Sequence, residues 1–341
     1  MNGVYKPLAV REREQDMGTV ALFGATGVVG HSIAQALWGQ GRGYRVVGRS
    51  REGLQREFGA DPQAEIVTWN PDDMASIQAA ARGVQTLIYL VGVPYWQFHL
   101  HPVLMKRTLD AAIAEGVERI VFIASVYPYG RPRTDVVNES HPRVPHTNKG
   151  RLRKAQEDLL LAADKAGSIQ VTILRLPDFY GPGVENSFLH RAFVAASQGK
   201  RAQLIGPIDT PHEFVYVPDV GPTVTALMDH PGAYGRFWNL GGAGVTSQAA
   251  LVEDIYAQAG HPAKYSVLGP GMVRLIGLFS PFMRELGEMH YLHTSPVIMD
   301  DSALRALLGD IRKTPYRDGI RQTLAALSPA PVATGHPHPA P

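Results

Sequence analysis

The chain has no cysteine among its 341 residues. That excludes disulfide staples, thiol nucleophiles and thiolate metal sites, and it fits a reducing compartment. Charge of one predominant sign is also missing: 33 Lys and Arg face 31 Asp and Glu, a formal charge of +2. A protein that tracks nucleic acid or an anionic membrane carries a basic stripe, so neither is expected as a partner. The pI near 8.7 still suits a phosphate-bearing ligand. No uninterrupted apolar run approaches a membrane span. Residues 1–17 lack the apolar stretch of a signal peptide and read as a flexible extension. Residues 328–341 (SPAPVATGHPHPAP) read as a disordered tail. No internal repeat is found. A cytoplasmic, single globular unit is expected.

What the sequence does have is 45% hydrophobic residues in short runs. TVALF (19–23), Tyr44–Val47, Glu65–Thr68, Thr86–Val91, Arg119–Ala124 and Gln170–Leu174 are such runs. Segments with helical spacing alternate with them, among them HSIAQALW, MASIQAAARG and HPVLMKRTLDAAIAEG. Runs apolar on both faces, separated by amphipathic helices, imply a parallel sheet covered on both sides. The expected fold class is α/β, a doubly wound parallel sheet of Rossmann type with ligand beyond the strands' carboxyl ends. It would occupy 18–175, and an interleaved, smaller C-terminal substrate lobe would occupy 176–327. In that lobe, 175–188 reads as a loop, Glu213–Val217 as a strand, and 219–228, 247–259 and 302–308 as helices.

Directly after the first run stands Gly24-Ala-Thr26-Gly27-Val28-Val29-Gly30. Glycines at a strand-to-helix turn let the backbone approach a pyrophosphate, and the helix N-terminus supplies amide donors. The spacing G-x-x-G-x-x-G is one residue longer than the usual dinucleotide fingerprint. At the tip of the second strand an acidic residue would accept from ribose hydroxyls. Arg49, Ser50 and Arg51 stand there instead. A guanidinium fork suits a 2′-phosphate, so NADP is expected ahead of NAD.

From here the chain resembles the extended short-chain dehydrogenase/reductases, the NAD(P)-dependent epimerase/dehydratase family. GATGVVG, LIYLVG (87–92), GVERIVFIASVYPYG (116–130), LRLPDFYGPG (174–183), EFVYVPDVGPTVTALM (213–228) and FWNLGG (237–242) carry the resemblance in order. It implies cofactor contacts along the glycine loop and at Leu90 and Val91, with Asn70 and Pro177 completing the expected set. It further implies hydride transfer assisted by a serine, a tyrosine and a lysine, the last two four apart on a helix. The lysine ammonium lowers the tyrosine's pKa and holds the nicotinamide ribose.

Ser125 matches the serine. In the register set by Glu157, however, Lys149 stands at the tyrosine position and Arg153 at the lysine position. Arg153 can hold ribose hydroxyls but stays protonated. Lys149 replaces the tyrosine only if its pKa is depressed toward neutrality, and Tyr127, two residues past Ser125, is the other candidate donor. Asp178 takes the place of a loop asparagine that borders substrate. Pro211-His212-Glu213 stands where relatives acting on nucleotide sugars place arginines, so a non-nucleotide-sugar substrate is expected. Tyr95, Trp96, Phe98, Tyr127 and Phe179 suggest an aromatic-lined pocket. The pairs His99/His101 and His290/His293 have no framing carboxylates, so no metal is expected. His146 reads as a residue at the helix start.

Two functions remain open. One is an atypical oxidoreductase acting on a small carbonyl or hydroxyl substrate. The other is a non-catalytic NADP(H)-binding redox sensor or assembly factor. A homodimer is compatible with both.

Overall fold

The structure is a computed structural model that describes residues 19–327 apart from 270, 273–277, 279–284 and 286. The expected extension 1–17 and tail 328–341 lie outside the described residues.

Val20–Phe23 (β1), Tyr44–Gly48 (β2), Ala64–Thr68 (β3), Thr86–Tyr89 (β4), Arg119–Ser125 (β5) and Gln170–Leu176 (β6) all enter one sheet. Between them run the helices Val28–Gly39 (α1), Arg51–Phe58 (α2), Met74–Ala81 (α3), Leu100–Ala114 (α4) and Asn148–Lys165 (α5). β1 and β4 are buried at every position because helices cover both faces. Val20 and Leu22 pack into the core on one side, Ala21 and Phe23 into the core on the other.

In the second half, Asp178–Tyr180 (β7), Ala202–Ile205 (β8), Pro211–His212 (β9), Phe214–Tyr216 (β10), Arg236–Asn239 (β11), Thr246–Ser247 (β12) and Tyr265–Leu268 (β13) follow. β11 returns to the main sheet beside β6, giving the all-parallel order β11-β6-β5-β4-β1-β2-β3. The remainder pairs off as β7 with β10, β8 with β13 and β9 with β12. These pairs and the helices His190–Ser197 (α6), Val220–Asp229 (α7) and Gln248–Gln258 (α8) make up much of the C-terminal lobe. Its core joins Tyr180, Phe193, Phe214, Leu251, Ile255 and Ile320. Tyr291–Thr294 (α9), Ser302–Leu308 (α10) and Tyr316–Leu327 (α11) complete the described elements. Two local expectations shift. The loop 175–188 contains β7, and the strand expected over Glu213–Val217 shortens to β10, because each of the two strands pairs with the other over only three residues.

The helix α5 positions the site. Its Thr147 cap accepts from the Gly150 amide. Its buried face reads Lys149, Gly150, Arg153, Gln156, Glu157 and Leu160, a helical repeat in which four of the six carry polar side chains. Glu157 is fully buried and takes two hydrogen bonds from the equally buried Arg175 on β6, at 2.9 and 2.6 Å. Arg143 adds a third at 3.1 Å. The Arg175 guanidinium lies 4.0 Å from the ring centre of Phe237 and 4.5 Å from that of Tyr129. Losing one member of such a pair strands the other charge in the core. Glu157→Gln is therefore expected to lower stability by about 3–5 kcal/mol. Arg143→Ala should cost much less, both read as shifts of the urea midpoint.

Candidate active site

The order of the sheet reverses at β1, between β2 and β4, and the crevice there opens beyond the strand ends. The Gly24 turn packs on the loop after β4: a Cβ at Gly24 would sit 2.9 Å from the Leu90 carbonyl carbon, and φ is +92°. A Cβ at Gly30 would lie 2.2 Å from the Ala25 carbonyl oxygen. Only glycine fits either place, so the turn stays tight and the start of α1 remains open to a ligand. A cavity of about 740 Å³ lies here. Gly24, Thr26, Gly27, Val28, Val29 and Gly30 line it, and so do Arg49, Leu90 and Val91.

The wall also holds residues that sequence reasoning did not single out: Trp69, Pro71 and Asp72 on one side, Gly183 to Asn186 on the other. Trp69 and Pro71 flank Asn70 in sequence. The Asn70 carboxamide instead accepts from the Asp72 amide at 3.0 Å, and Arg107 pairs with Asp72 at 2.6 Å. Ser50 caps α2, accepting from the Gly53 amide. Ser50, Asn70, Arg153 and Pro177 are not among the described residues that form this wall.

At the carboxyl end of β5 the Ser125 hydroxyl is buried and has no hydrogen-bond partner among the described residues. Tyr127 follows in a short turn, and its hydroxyl lies 3.0 Å from that of Tyr95. Burial drives the Tyr127 pKa well above the ordinary tyrosine value, and neighbouring Tyr95 and Asp178 add to the rise. The Tyr95 pKa is raised as well, again chiefly by burial. Both hydroxyls therefore keep their protons at neutral pH.

Lys149 lies close by. Its ammonium is 5.8 Å from the ring centres of both Tyr95 and Phe98. It is buried and paired with two carboxylates, Glu285 and, at 2.7 Å, Glu288. Glu288 also accepts from the Lys149 amide at 2.9 Å, capping the helix start. Burial alone would lower the lysine's pKa, but the two glutamates outweigh it and the value is raised. The depression toward neutrality that a proton-donating Lys149 requires is not seen. Nothing in the sequence ties Glu285 or Glu288 to a lysine some 140 positions earlier, so these partners were not legible.

Arg153 sits below, 5.1 Å from the Phe122 ring centre. It donates to Gln156 at 2.7 Å and contacts the His101 ring at 3.3 Å and the Ile123 carbonyl at 3.4 Å. Burial, with the Arg153 charge beside it, pushes His101 down to about 2, so this imidazole is neutral. Asp178 meets His212 at 2.7 Å. Of the expected aromatic lining, Phe179 reaches the large cavity and Phe98 packs on Tyr95 and Tyr127, while Trp96 is exposed. His146 stacks edge-on against Tyr291. No group of three or more His, Asp or Glu arranged for a metal occurs among the described residues.

The Lys149–Glu288 pair has a definite pH signature. The Glu288 pKa is lowered: burial opposes this, but hydrogen bonds and charge from Lys149 prevail. A lowered carboxyl contributes stability above its unfolded value and loses it as pH falls through the folded one; a raised lysine loses its share only in strong alkali. Glu288→Gln should lower stability by roughly 2 kcal/mol. The deficit should stay constant between about pH 5 and pH 10 and close in more acidic solution. Melting curves across pH check this.

Comparison with known proteins agrees with this geometry. The profile described as the NAD dependent epimerase/dehydratase family matches residues 20–241. Protein YeeZ of Escherichia coli (strain K12) is 30% identical over 279 residues, 79% of this chain and 87% of that one. The dTDP-6-deoxy-L-talose 4-dehydrogenase (NAD(P)(+)) of Kitasatospora kifunensis is 24% identical over 334 residues, 92% of this chain and 97% of its own. Among solved structures, UDP-glucuronic acid 4-epimerase from Bacillus cereus in complex with NAD superposes with a TM-score of 0.73. That match is at 17% identity and covers 90% of this chain and 98% of the epimerase. The glycine turn at the sheet's reversal, the strand order and these matches agree: the chain belongs to the NAD-dependent epimerase/dehydratase family and is an oxidoreductase/epimerase-like enzyme.

Proposed function

We propose that the protein reduces a small carbonyl compound with NADPH, with Ser125 holding the carbonyl oxygen and Tyr127 giving the proton. The observation that carries this reading is the Ser125 hydroxyl, buried and without a partner among the described residues, two positions before Tyr127, whose hydroxyl pairs with that of Tyr95. A buried hydroxyl without a partner is costly, and a substrate oxygen would satisfy it. When bound, the nicotinamide supplies the hydride. The glycine turn and the β4 loop would hold the dinucleotide. Arg153 is a positioning residue: fixed by Gln156, it supports the end of β5 through the Ile123 carbonyl.

Tyr127 holds its proton at neutral pH and can give it to the alkoxide that forms on the carbonyl oxygen, a stronger base, although burial makes it a weaker acid than a tyrosine beside a lysine ammonium. Tyr95 can replace that proton along the 3.0 Å hydrogen bond. Lys149 is committed to its glutamates, and we assign it to holding the segment around Glu288 on the start of α5. Arg49 in the cavity wall, with no carboxylate at the tip of β2, supports NADP. The Kitasatospora kifunensis relative is named for both NAD and NADP. Relatives are also named for nucleotide sugars, but here a carboxylate, Asp178, holds His212 where those relatives would need cationic groups for a diphosphate. We therefore infer a substrate without one.

Tyr127→Phe should lower reductive turnover by about 10²–10⁴-fold, and Ser125→Ala by roughly 10²-fold. Lys149→Met should stay within about tenfold of wild type once stability is matched. Reduction should be level across neutral pH. The reverse oxidation needs Tyr127 without its proton, so its rate should climb steadily with pH. Arg49→Ala should weaken NADPH by roughly tenfold while leaving NADH unchanged. Unchanged NADPH affinity would overturn the cofactor assignment. NADPH binding without turnover across a carbonyl panel would favour the non-catalytic sensor.

A further inference from the structure

A second polar cluster lies behind Asp178. The β7–β10 pairing sets Asp178 opposite Phe214, and the β9–β12 pairing sets His212 opposite Thr246, two residues before Gln248. A small cavity of about 10 Å³ results, lined by His212, Gln248, His293, Thr210, Phe188 and Phe214 among others. That is room for one oxygen or nitrogen with its hydrogens.

Two side chains on this cavity are more than nine-tenths buried, and each has an atom with no partner: Gln248 Oε1 and His293 Nε2. The orientation of the Gln248 amide follows from its nitrogen, which donates to the Phe188 carbonyl at 3.3 Å. Its oxygen is thus left facing a donor that the described residues do not provide. His293 is packed edge-on against Phe188 at 4.3 Å, and burial holds its pKa at about 4, so the ring is neutral. A neutral ring nitrogen can pair with a donor or an acceptor, but the glutamine oxygen only accepts. The group that satisfies both must carry a hydrogen. Carboxylates and the esterified diphosphate of a nucleotide sugar carry none at neutral pH, and the Asp178 carboxylate on His212 repels them further. His212 on this cavity's wall bonds Asp178 at 2.7 Å, and the next residue along β7, Phe179, lines the large cavity, so β7 connects the two.

We propose that Gln248, His293, His212 and Asp178 form a recognition subsite for a neutral O–H or N–H donor on the substrate, a hydroxyl by preference, and that Asp178 excludes anionic substrates. The proposal rests on the carbonyl-reductase reading and names the far end of that substrate.

The test is saturation-transfer NMR on the full-length protein loaded with NADP+, which cannot reduce the probes; NADPH replaces it only where turnover is read. The probes are short methyl ketones ending in a hydroxyl, the same ketones ending in a carboxylate, and UDP. The hydroxyl-ended ketone should bind about tenfold more tightly than the carboxylate-ended one, and UDP should not bind. Gln248→Leu and His293→Phe should each abolish that preference. Asp178→Asn combined with His212→Arg should reverse it and admit UDP. Should one core variant fail to fold, the other and the charge reversal read the same preference. Equal binding of both ketones, UDP binding to wild type, or a hydroxyl preference untouched by Gln248→Leu and His293→Phe would overturn the subsite. Absence of binding by any probe would also overturn it, leaving a cavity for one fixed water only. The parent reading fails differently: the hydroxyl-ended ketone binds but is not reduced, or NADPH gives no thermal shift with any variant or wild type.

Discussion

The site depends on one buried ion pair, Glu157 on α5 with Arg175 on β6. Two fully buried charges are tolerated because they pair through two hydrogen bonds from Arg175 Nε and Nη2, with aromatic faces around the guanidinium; Nη1 has no partner among the described residues. The pair fixes the rotation of α5 against the sheet. Positions 149 and 153 lie eight and four residues before Glu157, so they fall on the same buried stripe. Whatever side chains occupy those two positions must therefore face the end of β5. That constraint explains how a helix with so polar a buried face remains docked, and why a change of residue type there alters chemistry without moving the backbone.

A lysine and an arginine introduced on that stripe need compensation, since an unpaired buried charge is expensive. The fold meets this in two ways. Arg153 is enclosed by Gln156, His101, the Ile123 carbonyl and the Phe122 ring. Lys149 draws in Glu285 and Glu288, and with them the apolar cluster of Met289, Tyr291 and Leu292 that packs against Tyr127 and Tyr95. The ammonium thus helps to bury the tyrosine pair. Burial is the main cause of the raised pKa of Tyr127. In the reaction we propose, the proton then comes from the end of β5 and not from positions 149 and 153.

The Rossmann half was legible because its signals are local. Strands buried on both faces read as apolar runs, and a glycine turn that admits no Cβ at positions 24 and 30 appears as glycines in sequence. That Lys149 and Arg153 share the buried face of α5 with Glu157 follows from their four-residue spacing. The lobe was less legible. β7, β9 and β12 are two or three residues long, too short for a period to show, and they exist through pairing across tens of residues. Partners of buried charges are harder still: Glu288 on Lys149, Arg175 on Glu157 and His212 on Asp178 are tertiary facts. The condition on which Lys149 could donate, a pKa depressed toward neutrality, fails because two carboxylates from a distant segment raise it instead.

In the reaction we propose, Tyr127 and not Lys149 gives the proton, with Ser125 on the substrate oxygen. The most direct measurement is a crystal structure of the protein with NADPH and an unreactive carbonyl analogue. The analogue's oxygen is expected within hydrogen-bond distance of both Ser125 Oγ and the Tyr127 hydroxyl, with Lys149 still paired to Glu288. Lys149 released from Glu288 and bonded to that oxygen, with Tyr127 turned away, would contradict this proposal.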